Sequence, residues 1–293
     1  MQVGDQLVGD GRGPGVRVLG PATIGAQSAT QRQRALIAAL ALAGQRGADI
    51  DELADGVWGG RPPNSARSSL QNQMTRLRRL HGDDLIVCEH ARYLLGRPTD
   101  VAQFEGTLVR VRSAPLTRAS VDSLAGALDL WRGTPYVDLT DSHTAEIERA
   151  RLAQERARAA DLLATGRIQL RDYEQCITEL RAEVEDDPYR DRAWELLFVA
   201  LQRAGRPSEA LAAHREYVDR LRGQFGVEPS ASMIDVGRAL KLGTPIDVTA
   251  DGGVPRLVAA PATATPSRGR CLHDPVVRHC RVRGRRRRRR VDP

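Results

Sequence analysis

Hydrophobic and polar positions follow helical spacing over most of this chain. Leu36, Ile37, Leu40 and Ala43 predict a helix over Gln31–Ala43, with Thr30 as its N-cap and Gly44 and Gly47 as its stop. A second helix begins after Asp49, where Glu52 completes a capping box, and it turns Ile50, Leu53, Val57 and Trp58 inward. The run Gly59–Pro63 breaks it. A third helix starts at Asn64 or Ser65 and reaches about His81 before Gly82. Ahead of these, Val16–Ile24 is rich in β-formers and predicts one or two short strands. Behind them, Leu85–Cys88 and Tyr93–Leu95 predict a hairpin turning at Glu89–Arg92. Strand, three helices and hairpin in this order describe a winged helix-turn-helix.

From Val101 onward the pattern is helical almost without interruption. The predicted segments are 101–113, 118–131, 144–165, 170–185, 190–204, 207–223 and 230–241. They are divided by Pro115, Gly133 with Pro135, Gly166, Asp187-Pro188, Gly205 with Pro207, and Gly226. Helices of this length joined by short turns suggest tetratricopeptide-like hairpins, and the run from Trp194 through Ala200, Gly205 and Ala210 to Tyr217 suits one such pair. The expected fold class is therefore mainly α with a small β component: a winged helix-turn-helix followed by a tetratricopeptide-like helical domain. Composition changes after Gly243. Thr244–Pro266 reads as a Pro/Ala/Thr/Gly linker, and Arg285–Arg290 is an unbroken arginine run.

Charge alters the picture only once it is divided. The 293 residues carry a net +7, yet residues 244–293 hold 12 basic side chains against 4 acidic ones, and residues 1–243 are nearly balanced. Lys241 is the one lysine beside 43 arginines and follows Leu240, which excludes a P-loop. Four cysteines with no CxxC spacing make no disulfide framework. The longest apolar run, Ala35–Ala43, is about half a membrane span, and Met1–Gly15 lacks a signal-type apolar core, so the cytoplasm is the expected compartment. No HExxH, GxSxG or GxGxxG occurs, and Asp141, Ser142 and His143 are too close in sequence to converge as a triad, so an enzyme is not expected. Cys271, His273, His279 and Cys280 have no finger-like spacing, and neither metal nor cofactor is expected. Cys88 and Cys176 read as small buried residues, and Trp58, Trp131 and Trp194 as core anchors.

The third helix carries the candidate chemistry. On a helical wheel Ala66, Leu70, Met74 and Leu77 fall within about 80° and form a buried stripe. Opposite stand Ser68, Gln71, Asn72, Thr75 and Arg79, flanked by Arg67, Arg76 and Arg78, with no acidic residue between 64 and 82. Side chains that donate and accept suit base edges, and arginines at the margin suit phosphates. A solvated cationic face is the plain alternative for one such helix. Two helices before it and a hairpin tip with His90 and Arg92 after it favour a DNA reader.

Several runs then coincide. Gln33-Arg34-Ala35-Leu36, Leu53 with Val57-Trp58-Gly59, Pro62-Pro63 and Ala66–Gln71 with Thr75–Arg79 resemble the DNA-binding domain of the Streptomyces antibiotic regulatory protein family. Asp129–Gly133, Glu148–Leu152, Asp187–Arg190, Gly205–Leu211 and Glu228–Ser230 resemble that family's bacterial transcriptional activation domain. The resemblance spans about residues 16–243. It implies a division into a disordered N-terminus (1–15), an OmpR-type winged helix (16–97), an activation domain (98–243) and a disordered tail (244–293).

The resemblance also implies function. It points to an activator of biosynthetic genes for a secondary metabolite, binding tandem direct repeats in double-stranded DNA as side-by-side protomers, a homodimer on DNA. Such an activator recruits RNA polymerase holoenzyme and works at the nucleoid. By position, Asn72, Arg76 and Arg79 match the base-facing places of the recognition helix. Ser68, Gln71, Thr75, Arg67 and Arg78 are neighbours or phosphate contacts, and Arg92 is a minor-groove contact. The sequence departs from the family in a short Ile24–Gln31 segment and in a wing tip, Glu89-His90-Ala91-Arg92, that lacks the usual glycine before Tyr93. The rival reading is a helical-repeat adaptor that has lost specific DNA binding; a repressor would use the same contacts. A high-GC gene read out of frame also yields arginine runs, so residues from about Val254 are read as a divergent or shifted end.

Overall fold

The computed structural model describes residues 15–25, 29–247 and 256–257. Expectations for residues 1–14, for Cys271, His273, His279 and Cys280, and for Arg285–Arg290 lie outside them. Two short antiparallel strands open the described chain, β1 (Val16–Arg17) and β2 (Thr23–Ile24), with Val16 opposite Ile24. Helices α1 (Gln31–Ala43), α2 (Ile50–Trp58) and α3 (Ala66–His81) follow, then the hairpin of β3 (Ile86–Glu89) and β4 (Arg92–Leu95). Both capping boxes form: Thr30 with Gln33, and Asp49 with Glu52. The helical region comprises α4 (Asp100–Arg112), α5 (Arg118–Leu128), α6 (His143–Gln169), α7 (Tyr173–Asp186), α8 (Asp191–Arg203), α9 (Pro207–Phe225) and α10 (Ala231–Leu242). A last strand pair, β5 (Ile246–Asp247) with β6 (Arg256–Leu257), is antiparallel.

Two hydrophobic cores are present among the described residues, and they meet inside one helix. One core joins β1 and β2, α1–α3 and the hairpin to α4, α5 and the first part of α6, from Val16 to Leu163. The second begins at Ala164 and gathers α7–α10 and Ile246 around Trp194, Phe198 and Tyr217. Helix α6, 27 residues and about 40 Å long, runs through both. Apolar burial at about 25 cal/mol per Å² stabilises each half chiefly through such contacts.

Polar contacts weld the first strand to the helical region. Asp100, the first residue of α4, has no exposed surface, and its carboxylate accepts from the Val18 and Leu19 amides at 2.8 and 3.1 Å. It also accepts from Val101 at 3.0 Å and lies 3.6 Å from Arg132. Burial pushes its carboxyl above the usual range, against the opposing pull of those donors. Asp138 repeats the device, accepting from Ala22 at 2.7 Å and from the Arg34 guanidinium of α1 at 2.8 Å. Backbone bonds from Arg132 to Leu19 and from Tyr136 to Val18 close the seam.

Four expectations are corrected. Gly166 does not end its helix: α6 continues to Gln169, and a Cβ at 166 would stand 2.6 Å from Val121 Cγ2, so the glycine serves the close approach of α5. The segment after Gly243 does not become linker at once, because Ile246 is buried and Gln202 bonds both its amide and the Thr244 carbonyl. Cys88 is exposed on β3, whereas Cys176 is buried. Trp194 is a core anchor, but Trp58 and Trp131 only border the core, under Arg32 and Arg156 respectively.

Candidate nucleic-acid interface

Helix α3 is seated by the stripe its pattern predicts: Ala66, Leu70, Met74 and Leu77 are all buried. Its opposite face is open, with Ser68, Gln71, Asn72, Thr75, Arg76 and Arg79 all exposed. The Ser68 and Thr75 hydroxyls donate to the carbonyls of Ser65 and Gln71 at 3.0 and 2.9 Å, leaving oxygen lone pairs outward. Among the described residues, the side chains of Gln71, Asn72, Arg76 and Arg79 have no hydrogen-bond or ion-pair partner. They present amide and guanidinium forks, the groups that pair two-fold with adenine and guanine edges.

The other three arginines are engaged within the protein. Arg67 forks onto Asp51 of α2, its Nε donating at 2.8 Å to Oδ1 and its Nη2 to Oδ2. Arg78 is half-buried and donates to the Ile86 carbonyl at 2.9 Å, fastening α3 to the wing. Arg92 does not stand out from the wing tip. Its guanidinium turns back to the carbonyls of Arg46 and Gly47 at 3.0 and 2.9 Å and to Glu52 at 2.6 Å. The tip itself is formed by His90 and Ala91, with φ of 48° and 61°. A two-residue hairpin needs this left-handed pair, and glycine or asparagine adopts it at lower cost.

Acidic groups at the start of α2 therefore organise the arginines around the open face. The Asp49 amide, followed by Arg46 and Arg92, holds the Glu52 carboxyl below its usual range. Asp49 is lowered in turn by the Glu52 amide. Sequence reading took Asp49 and Glu52 as caps and passed over Asp51. An acid in the first helical turn is ordinary dipole chemistry, and its arginine partner lies 16 residues on. Among the described residues no group of three or more His, Cys, Asp or Glu is placed to hold a metal, and no helix is long and apolar enough to cross a membrane. His143 is exposed beside Glu146, and Ser142 caps α6.

A winged helix-turn-helix joined through a shared core to a stack of paired helices defines a class of protein by its fold, and comparison with known proteins agrees with it. The bacterial transcriptional activator domain matches residues 99–241. Regulatory protein AfsR of Streptomyces coelicolor is 31% identical over 245 residues, covering 80% of this chain and 24% of its own length. Regulatory protein DnrI of Streptomyces peucetius is 29% identical, covering 77% of this chain and 87% of its own. The structure of Mycobacterium tuberculosis EmbR in complex with a low-affinity phosphopeptide superposes with a TM-score of 0.69 at 25% identity, over 80% of this chain and 66% of that one. Residues 99–241 thus match the bacterial transcriptional activator domain, and most of the chain is similar to transcriptional regulators of the Streptomyces antibiotic regulatory protein family. The chain spans about a quarter of the length of AfsR.

Proposed function

We propose that the protein is a sequence-specific, DNA-binding transcriptional activator, specific to a secondary-metabolite gene cluster. In this reading α3 enters the major groove, with Asn72, Arg76 and Arg79 reading bases and Ser68, Gln71 and Thr75 beside them. Two protomers lie side by side on a tandem direct repeat, and the protein recruits RNA polymerase holoenzyme at the nucleoid. The observation that carries this is the open face of α3: free of acidic residues and rich in two-pronged donors, with the Gln71, Asn72, Arg76 and Arg79 side chains unpartnered among the described residues.

The test is retardation of promoter fragments from the protein's own cluster at near-physiological salt, against excess unrelated duplex. Specific retention at a direct repeat is expected. Arg79→Ala should weaken it by about 1–3 kcal/mol, roughly five- to 150-fold, with random-duplex binding little changed. An equal loss on every duplex would make Arg79 a phosphate contact, and retention that vanishes into competitor would favour the adaptor reading.

A further inference from the structure

We propose that Asp51 sets the sequence discrimination of the interface by withholding Arg67 from the DNA backbone. The proposal rests on the reading of α3 given above. Arg67 is the second residue of α3 and lies on the flank of its open face, where a guanidinium meets phosphate rather than base. It is instead held by both oxygens of Asp51. The pair is largely exposed, 66% and 61%, so its contribution to folding is small. Nor does α2 need Asp51 as its cap, since Asp49 and Glu52 already supply both halves of the capping box.

What the pair changes is the electrostatics of binding. A phosphate contact is blind to sequence: it adds the same affinity on every duplex and steepens the salt dependence by about 0.9 per contact. With its charge matched by Asp51, Arg67 adds little of that uniform affinity. Asn72, Arg76 and Arg79, which have no such acid beside them among the described residues, keep their full effect. At the wing, Glu52 likewise draws Arg92 back from the tip, sharing its carboxylate between that guanidinium and Arg46. Specific binding is thereby raised over random binding without any added base contact.

The experiment is fluorescence anisotropy of the full chain on a random duplex and on its promoter repeat, each titrated with salt. Asp51→Asn, Asp51→Ser, Arg67→Ala and the Asp51→Asn/Arg67→Ala double variant are compared with wild type. Either Asp51 variant should tighten random-duplex binding several-fold, steepen log K against log salt by about one contact, and lower the repeat-to-random ratio. Arg67→Ala alone should leave the slope unchanged, and in the double variant it should cancel the gain. A shallower slope from Arg67→Ala alone, or no change in slope with both folded Asp51 variants, overturns the proposal. Absence of any wild-type preference for the repeat would instead refute the DNA-reading function, while the random-duplex slopes still decide the role of Asp51.

Discussion

Replacing Asp100 by alanine tests the seam between the first strand and the helical region. The buried carboxylate accepts from the amides of the neighbouring residues Val18 and Leu19, more than 80 residues away, and from Val101 at its own helix start. Alanine leaves the Val18 and Leu19 amides, just after β1, without an acceptor, at about 1–3 kcal/mol each. Relief of the carboxylate's burial, which already raises its pKa, returns part of this. A net loss of about 3 kcal/mol follows, and at roughly 2–4 °C per kcal/mol for a chain of this size the melting midpoint should fall by about 6–12 °C. Asp100→Asn should lie between, because an amide keeps one acceptor but turns its NH2 toward the second donor. The assay is thermal unfolding by far-UV circular dichroism, with hydrogen exchange at Val18 and Leu19 as the local readout. A fall under about 2 °C, or unchanged protection of those two amides, would refute the account.

Leu70→Ala, at a fully buried position of α3, should cost about 2–5 kcal/mol in a urea titration. Gly166→Ala should destabilise despite alanine's better helix propensity, since the added Cβ meets Val121 at 2.6 Å; a raised midpoint would refute the close-packing account. Glu52 has a folded pKa below its unfolded value, so its contribution is present above the unfolded value and lost as pH falls through the folded one. Protection of the Ala48 and Tyr93 amides, which bond across to each other beside the Arg92 clamp, should therefore fall as pH drops below the usual carboxylate range, whereas in Glu52→Gln it should be low already at neutral pH and show no such step.

Elements governed by local chemistry were legible in the sequence. The Thr30 and Asp49 caps, the buried stripe of α3 and the breaks at Gly205 and Gly226 each depend on residues within a turn or two of one another. What escaped depends on distant partners. Gly166 reads as a stop until Val121 is seen beside it, and Ile246 reads as linker until Gln202 reaches it. Within the candidate interface, the wheel separated open positions from buried ones. It could not show that Arg67, Arg78 and Arg92 are drawn to Asp51, to the Ile86 carbonyl and to the turn at Arg46–Gly47.

The continuous core from Val16 to Leu163 bears on how such proteins can be recombined. A chimera that exchanges the winged helix at residue 97 cuts between Val18 and Asp100 and between Arg34 and Asp138, so the incoming domain must bring matching partners for both acids. A junction inside α6, near Leu163 and Ala164, keeps every one of those contacts within a single parent. The transferable module is the winged helix together with α4, α5 and most of α6, and the DNA specificity proposed for α3 is best moved as that larger block.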